Sequence, residues 1–331
     1  MTRLLRLALT LLAAAGLAGA GALRWLLSPP DPLGAERDFV VSRGEALGPI
    51  AQRLEAAGLV RRAWAFETVA RHRELEGRLQ MGEYRLSPAA PMVAILEQLA
   101  SGRVVTHEVS LPEGFTAGQI AERLDSAGLV PREAFLAVVR DPASAHALGV
   151  EGESLEGYLF PETYRFPRGL SPQDVARTMV EQFRRTWQGI EPLARERGLS
   201  MREVVTLASI IEKETGVAHE RPVIASVFLN RMRHGMRLET DPAVIYGITG
   251  FDGNLRRRDL EDASNPYNTY RIAGLPPGPI ASPGADALRA VVEPAQTSFL
   301  YFVSRNDGSH TFSKTYAEHV AAVNRYQRGG S

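Results

Sequence analysis

Two glutamates with a lysine between them, Glu212-Lys213-Glu214, close the stretch Ser200–Gly216, whose remaining residues have the spacing of an amphipathic helix. Side chains two apart on a helix project roughly 200° from one another, so a single cleft can take only one of the two carboxylates. Glu214 lies three, four and seven residues beyond Ile211, Ile210 and Leu207, which extends the edge of an apolar stripe; Glu212 follows Ala208 and Ser209 on the other flank. A carboxyl at the border of an apolar face is partly desolvated, and the last turn of a helix is the negative end of its dipole. Both effects favour the protonated form and suit Glu214 to general-acid work. A Glu-Lys-Glu face turned to water fits the same periodicity. Ser209 and Lys213 raise a rival, acyl transfer. The serine–lysine motif, however, sets the lysine three residues on, not four, and no S-D-N or K-T-G follows. His219-Glu220 lacks the second histidine that a zinc protease helix needs.

The elements that must position Glu214 are written around it. Ser200 is an N-cap with Glu203 completing a capping box, Leu199 and Val204 hold the positions of a hydrophobic staple, and Gly216 is placed to end the helix in the left-handed conformation. Ser171-Pro172 opens an earlier helix that runs to Trp187, and Pro222 opens a later one closed at Gly235, with Asn230 and Arg231 in its C-terminal half. Polar, turn-rich stretches follow at 236–247, 265–270 and 274–280, the kind of loop on which sites are built. Ser298–Ser304 and Gly308–Phe312 read as strands and Thr315–Tyr326 as a closing helix. Upstream, Glu156–Pro167 is dense in aromatic residues and proline; it lines a groove with faces suited to sugar rings, or it packs into the core.

Charge is balanced at 38 basic and 38 acidic residues, so no basic field points to nucleic acid. There is no cysteine, which excludes disulfides, thiolate metal sites and cysteine nucleophiles. At the N-terminus Arg3 and Arg6 precede an apolar run through Leu27, long enough to cross a bilayer and oriented with the N-terminus in the cytoplasm. Small residues at Ala18–Ala22 also fit a cleaved signal peptide, but Trp25 and the leucines after it favour a retained anchor. An internal repeat follows. Val41-Ser42-Arg43-Gly44 leads into Ile50–Val60, and seventy residues later Ser110–Gly114 leads into Ile120–Val130, with glycine, apolar and arginine positions in register. Each copy reads as strand, turn and short helix closed by glycine, then a second helix near Ala63 or Arg132, with a strand at Met81–Leu86 between them.

This strand–helix–helix–strand pattern resembles a LysM module, a small fold that binds N-acetylated glycans; an α/β packing unit without ligand has the same pattern. Several ordered motifs give a broader resemblance: LASIIEKET at 207–215, SVFLNR at 226–231, GMRLETDPAVIYG at 235–247, YNTY at 267–270, GLPP at 274–277, SPGA at 282–285, and Tyr301–Val303 with His310-Thr311-Phe312. Together they resemble the endolytic murein transglycosylases, the YceG-like or MltG family, over nearly the whole chain. The resemblance implies an α+β fold with a transmembrane anchor over 1–27, a linker over 28–37, a LysM-like module over 38–106 and a mixed α+β catalytic domain over 107–331. Residues 107–150 of that domain repeat part of the module pattern. It implies cleavage of peptidoglycan strands between N-acetylmuramic acid and N-acetylglucosamine without water, with Glu214 as the catalytic acid and then base. One carboxyl serves both steps because the nucleophile, the muramic C6 hydroxyl, belongs to the substrate. Motif positions Asn230, Glu239, Thr240, Asp241, Tyr246, Asn268 and Tyr270 are expected to bind substrate, although Asp241 before Pro242 equally fits a turn staple. Glu239 is expected near Glu214, raising its pKa by like-charge repulsion, and Glu162 is a candidate second acid. No metal or other cofactor is implied. The expected partners are glycan strands, the inner membrane and the synthases that make the strands, with the catalytic domain outside the cytoplasm. A non-catalytic, membrane-anchored glycan-binding scaffold is the alternative.

Overall fold

The computed structural model describes residues 2–42 and 44–328. Arg43 of the repeat and the side chains of Arg3 and Arg6 lie outside the described residues. The architecture is α+β. Helix α1 (Thr2–Leu27) contains a stretch of 19 residues, Leu9–Leu27, with mean hydropathy 1.5 and none of it buried, long and apolar enough to cross a membrane. The chain divides into two compact units, Met1–His107 with Arg165–Gly169, and Glu108–Tyr164 with Leu170–Ser331.

In the first unit, β1 (Arg37–Val41), α2 (Leu47–Ala56), α3 (Ala63–His72), β2 (Gly82–Leu86) and α4 (Met92–Ser101) follow in order. β1 and β2 pair antiparallel with Phe39 opposite Tyr84. Alternate residues of each strand turn inward, so Phe39, Val41, Tyr84 and Leu86 meet Ile50, Leu54, Phe66, Ile95 and Leu99 from the helices in one core. Each such fully buried side chain contributes roughly 1.5–3 kcal/mol. This is the strand–helix–helix–strand order expected of the module, with α4 packed on α3 as an addition. The segment after α1 is tied down: the Arg61 guanidinium lies 4.7 Å from the Trp25 ring centroid and donates to the Pro29 carbonyl, and the Asp31 N–H donates to the Pro88 carbonyl.

The other copy of the repeat follows, with β3 (His107–Ser110) at the boundary of the units, then α5 (Ala117–Ser126), α6 (Arg132–Val139) and a short α7 (Pro142–Ala147) in the second unit, before β4 (Thr163–Phe166). Ser110 and Thr163 pair their hydroxyls at 2.9 Å, and the Leu111 N–H donates to the Glu162 carbonyl. The two copies share backbone geometry as well as sequence. Gly58 and Gly128 both take φ of 66°, and Leu59 and Leu129 donate back to Leu54 and Leu124. A left-handed residue closes each first helix, which is why glycine recurs there.

Then come α8 (Pro172–Trp187), α9 (Glu191–Glu196), α10 (Met201–Glu214), α11 (Arg221–Arg233), α12 (Asp241–Tyr246), α13 (Arg257–Glu261) and α14 (Ala285–Val292). The antiparallel pair β5 (Tyr301–Ser304) and β6 (His310–Ser313) and helix α15 (Tyr316–Val323) complete the unit. α10 is the central element: α9, α11, α12 and α14 all pack on it, and every residue from Val204 to Ile211 is buried. The aromatic segment at 155–166 belongs to the core. Tyr158 is 1 % exposed and meets Phe183 edge-on, and Phe160, Tyr164 and Phe166 are buried, so these rings are closed to a sugar face. Gly157, with φ of 85°, lets that segment press on the GLPPGPI loop, because a Cβ there would stand 2.3 Å from Pro279.

Candidate active site

Helix α10 starts as its sequence dictates: the Ser200 hydroxyl accepts the Glu203 N–H, and the Glu203 carboxylate accepts the Ser200 N–H. A cap of this kind contributes about 1 kcal/mol. Its end differs from expectation. Gly216 is not left-handed; Thr215, in an extended conformation with φ of −143°, breaks the helix instead. Its hydroxyl accepts the Val217 N–H and donates to Glu220, so the side chain organises the exit that a glycine cap would otherwise make.

The two glutamates of the last turn separate as their 200° relation requires. Glu212 is held in a polar cluster: Arg221 donates to it at 2.9 Å and the Gly284 N–H at 3.0 Å, while Arg221 also reaches Glu113 at 3.3 Å. Glu214 is half-buried on the other side and, among the described residues, closes no ion pair. It borders a cleft of about 320 Å³ lined by Arg231, Leu238, Glu239, Asp241, Tyr270, Phe302 and His319. Desolvation drives its pKa up to about 7, and the negative charge of Asp241 pushes the same way. The Thr240 hydroxyl and the Arg231 charge pull it down without cancelling the rise. Thr240 is near enough to act on the carboxyl but closes no hydrogen bond of ordinary length, since its buried Oγ1 has no partner.

The cleft wall is built from three elements. Thr240 and Asp241 open α12, and the Tyr270 hydroxyl donates to Asp241 at 2.7 Å, joining α12 to the 265–270 loop. Glu239 has φ of 52°, a conformation that costs a non-glycine residue energy and that concentrates at functional sites. Arg231 fixes that bend by donating to the Leu238 carbonyl at 2.9 Å, the Leu300 carbonyl at 2.7 Å and the Glu239 carboxylate at 3.2 Å. Glu239 therefore reaches the cleft with its charge paired, and the like charge that raises Glu214 comes from Asp241.

Glu214, Glu239, Asp241 and Tyr270 thus meet in one cleft, with Thr240 beneath them. Asn230, Tyr246 and Asn268 are placed elsewhere. Asn230 spends its amide on the carbonyls of Thr297 and Phe299 at 3.0 and 2.9 Å. Asn268 is fully buried and donates to three carbonyls of the 259–262 turn. Both are loop staples, because a buried carbonyl needs a donor as much as a sugar does. Tyr246 donates to Glu156 at 3.1 Å and meets Tyr267 edge-on. Burial lifts Glu156 to about 7 despite the Ala117 N–H that it accepts, making it a second high-pKa acid that the sequence did not single out. Glu162 is exposed and outside the cleft. Ser209 is fully buried, donating to Thr206 and accepting from the Ile280 N–H, and the Lys213 ammonium goes to the Gly114 carbonyl; no serine–lysine pair forms. Glu220 pairs with His310 at 2.7 Å.

Arg231, Leu238, Phe302 and His319 line the cleft although motif reasoning had not chosen them. Arg231 was visible in SVFLNR. Phe302, on β5, was likewise visible in the Tyr301–Val303 motif, whereas His319 arrives from α15, far along the chain from Glu214, and carries no local signal.

An α+β scaffold that holds a half-buried, high-pKa carboxyl at a polar cleft has the chemistry suited to acid–base work by a glutamic acid. The chain belongs to the YceG-like family, which it matches over residues 39–325. It is 30% identical over 302 residues to the endolytic murein transglycosylase of Bacillus subtilis (strain 168), covering 86% of this chain and 83% of that protein. It is 29% identical over 294 residues to the endolytic murein transglycosylase of Streptococcus pneumoniae serotype 2 (strain D39 / NCTC 7466), over 80% of this chain and 53% of that one. The match spans about half the length of the pneumococcal relative. The 2.6 Å crystal structure of a YceG-like protein from Listeria monocytogenes superposes with a TM-score of 0.60 at 30% identity, covering 87% of this chain and 99% of that chain.

Proposed function

We propose that this protein is an endolytic lytic transglycosylase of peptidoglycan, a lyase that cuts glycan strands internally and leaves 1,6-anhydro-muramic ends. The observation that carries this reading is Glu214: a carboxyl with pKa raised to about 7, in a cleft whose other carboxylates are already engaged by Arg231 and Tyr270. At neutral pH a substantial fraction of Glu214 holds its proton. It protonates the glycosidic oxygen as the bond to muramic C1 breaks, giving an oxocarbenium-like sugar and a free hydroxyl on the leaving saccharide. The resulting carboxylate then takes the proton of the muramic C6 hydroxyl as that oxygen bonds to C1. The proton returns to Glu214 and no water is consumed, so no second carboxylate is needed to activate one. Asp241, Tyr270 and Glu239 form the wall against which the sugars rest. Thr240 sits with its hydroxyl near Glu214, and Asn230 and Asn268 act through the backbone they hold.

The name shared by the relatives supports the substrate class. On this reading α1 anchors the enzyme in the inner membrane with its N-terminus in the cytoplasm, and residues 107–331 form the catalytic domain. The 38–106 module meets glycan as a LysM-like unit, and strand-making synthases are the partner class.

The test is mass spectrometry of peptidoglycan digested by wild-type protein and by Glu214→Gln. Anhydro ends, one water lighter than reducing ends, from the wild type alone support the reading. Reducing ends would assign a hydrolase, and no cleavage by either protein would favour the glycan-binding scaffold.

A further inference from the structure

We infer that His319, on the last helix, is a substrate-contacting residue of the Glu214 cleft, donating its Nε2–H to an oxygen of the bound glycan. This rests on the reading of the cleft as the transglycosylase site. The ring lines that cleft and stacks on Tyr301, with centroids 5.2 Å apart and planes 22° from parallel. Its Nδ1 is buried without a hydrogen-bond partner, whereas Nε2 is not among the buried unpartnered atoms and closes no bond with a described residue, which leaves it open to the cleft.

That asymmetry fixes the proton. A charged imidazole would bury an N–H with no acceptor and set a cation beside the Arg231 guanidinium, which itself lies 5.2 Å from the Tyr301 ring centroid. The ring is therefore neutral, and desolvation and Arg231 both lower its pKa, outweighing the opposite pull of Glu239. Of the two neutral tautomers, the one protonated at Nδ1 also buries an orphan donor, and an orphan acceptor is the less costly of the two. The proton sits on Nε2.

Two of the cleft's other donor groups are largely engaged. Tyr270 gives its hydroxyl to Asp241, and Arg231 gives Nε and Nη1 to carbonyls and to Glu239. Nε2–H of His319 is thus a donor held ready in the cleft that Glu214 borders. The strongest neutral acceptor an N-acetylated sugar offers is its acetamido carbonyl, and that is the group we assign to it.

Two substitutions separate donation from packing. His319→Phe keeps a ring to stack on Tyr301 and loses the donor; His319→Gln loses the ring and carries an amide N–H near the Nε2 position. The expected result is that formation of anhydro ends falls about tenfold or more in His319→Phe, the scale of one lost hydrogen bond to substrate, and stays within about threefold of wild type in His319→Gln. Wild-type activity in His319→Phe, or equal losses in both variants, overturns the assignment. A long-range proton–nitrogen NMR spectrum of the wild-type ring reads the tautomer directly: Nε2–H supports the inference, and an Nδ1–H or charged ring overturns it without recourse to variants. Glu214→Gln run alongside keeps the two claims apart, since its failure to make anhydro ends beside an active wild type upholds the reaction whatever His319 does.

Discussion

At the end of α10, Glu212 accepts from Arg221 at 2.9 Å, while Glu214, two residues on, feels the charge of Asp241 and, among the described residues, closes no ion pair. One helical turn thus carries a carboxylate paired with an arginine and a carboxyl pushed toward neutrality by desolvation and a like charge. Side-chain direction alone sends the pair to opposite surroundings. The first is a structural tie to Arg221 and the Gly284 backbone, and the second is the proposed acid.

Removing the proposed acid is expected to abolish activity and to stabilise the protein at alkaline pH. A carboxyl whose folded pKa of about 7 exceeds its unfolded value binds more protons folded than unfolded between those values, so its contribution to stability falls as pH rises through that window. Glu214→Gln removes that loss. It should lose at least about a thousandfold in anhydro-end formation and gain on the order of 1–3 kcal/mol at pH 8, with little gain near pH 4.5. Melting curves at the two pH values check the sign; an equal shift at both would refute the assigned pKa.

Asp241 tunes that acid. Its charge raises the Glu214 pKa, so Asp241→Asn should lower it and shrink the protonated fraction at neutral pH. The expected outcome is a basic limb of kcat/KM displaced to lower pH, with activity near the acidic optimum less affected than activity at pH 7.5. An undisplaced limb with a uniformly lower rate would mean that Asp241 contacts substrate without tuning Glu214.

Much of α10 was legible beforehand because its signals are local. The N-cap pair Ser200–Glu203, the buried stripe and the outlying Glu214 all sit within fifteen residues, and each depends only on helix geometry. The exit was misread at Gly216 because Thr215 has a hydroxyl able to take the Val217 N–H, a choice that composition does not reveal. The repeat was legible for the same local reason, each copy closing on a left-handed glycine. Asn230 and Asn268 are expected in the cleft as motif positions, but an amide that could serve a sugar serves a carbonyl equally well. Whether a nearby turn leaves carbonyls without donors is a tertiary fact, as is the arrival of His319 and Phe302 from the chain's end.

Ser209 tests the acyl-transfer rival and the packing of α10 together. Ser209→Ala removes the acceptor of the Ile280 N–H in a fully buried setting, which should cost about 1–3 kcal/mol. Activity per folded molecule should be unchanged, because the hydroxyl points into the core. Denaturant melts and digestion assays on one preparation decide it; loss of activity without loss of stability would revive a nucleophilic serine.

The Arg221–Glu212 tie makes a prediction about stability alone. Both side chains are buried to about nine-tenths, at 10% and 6% exposure, so deleting one partner leaves an uncompensated charge in a poorly solvated place. Arg221→Met should cost about 3–5 kcal/mol, and the double variant Arg221→Met/Glu212→Gln should recover part of that, because the second substitution removes the stranded charge. The Gly284 N–H, now bonded to Glu212, retains an acceptor in the glutamine oxygen, so recovery measures the charge and not the lost hydrogen bond. Purely additive losses in the cycle would instead assign Arg221 to Glu113 and Asp286, the other carboxylates it reaches.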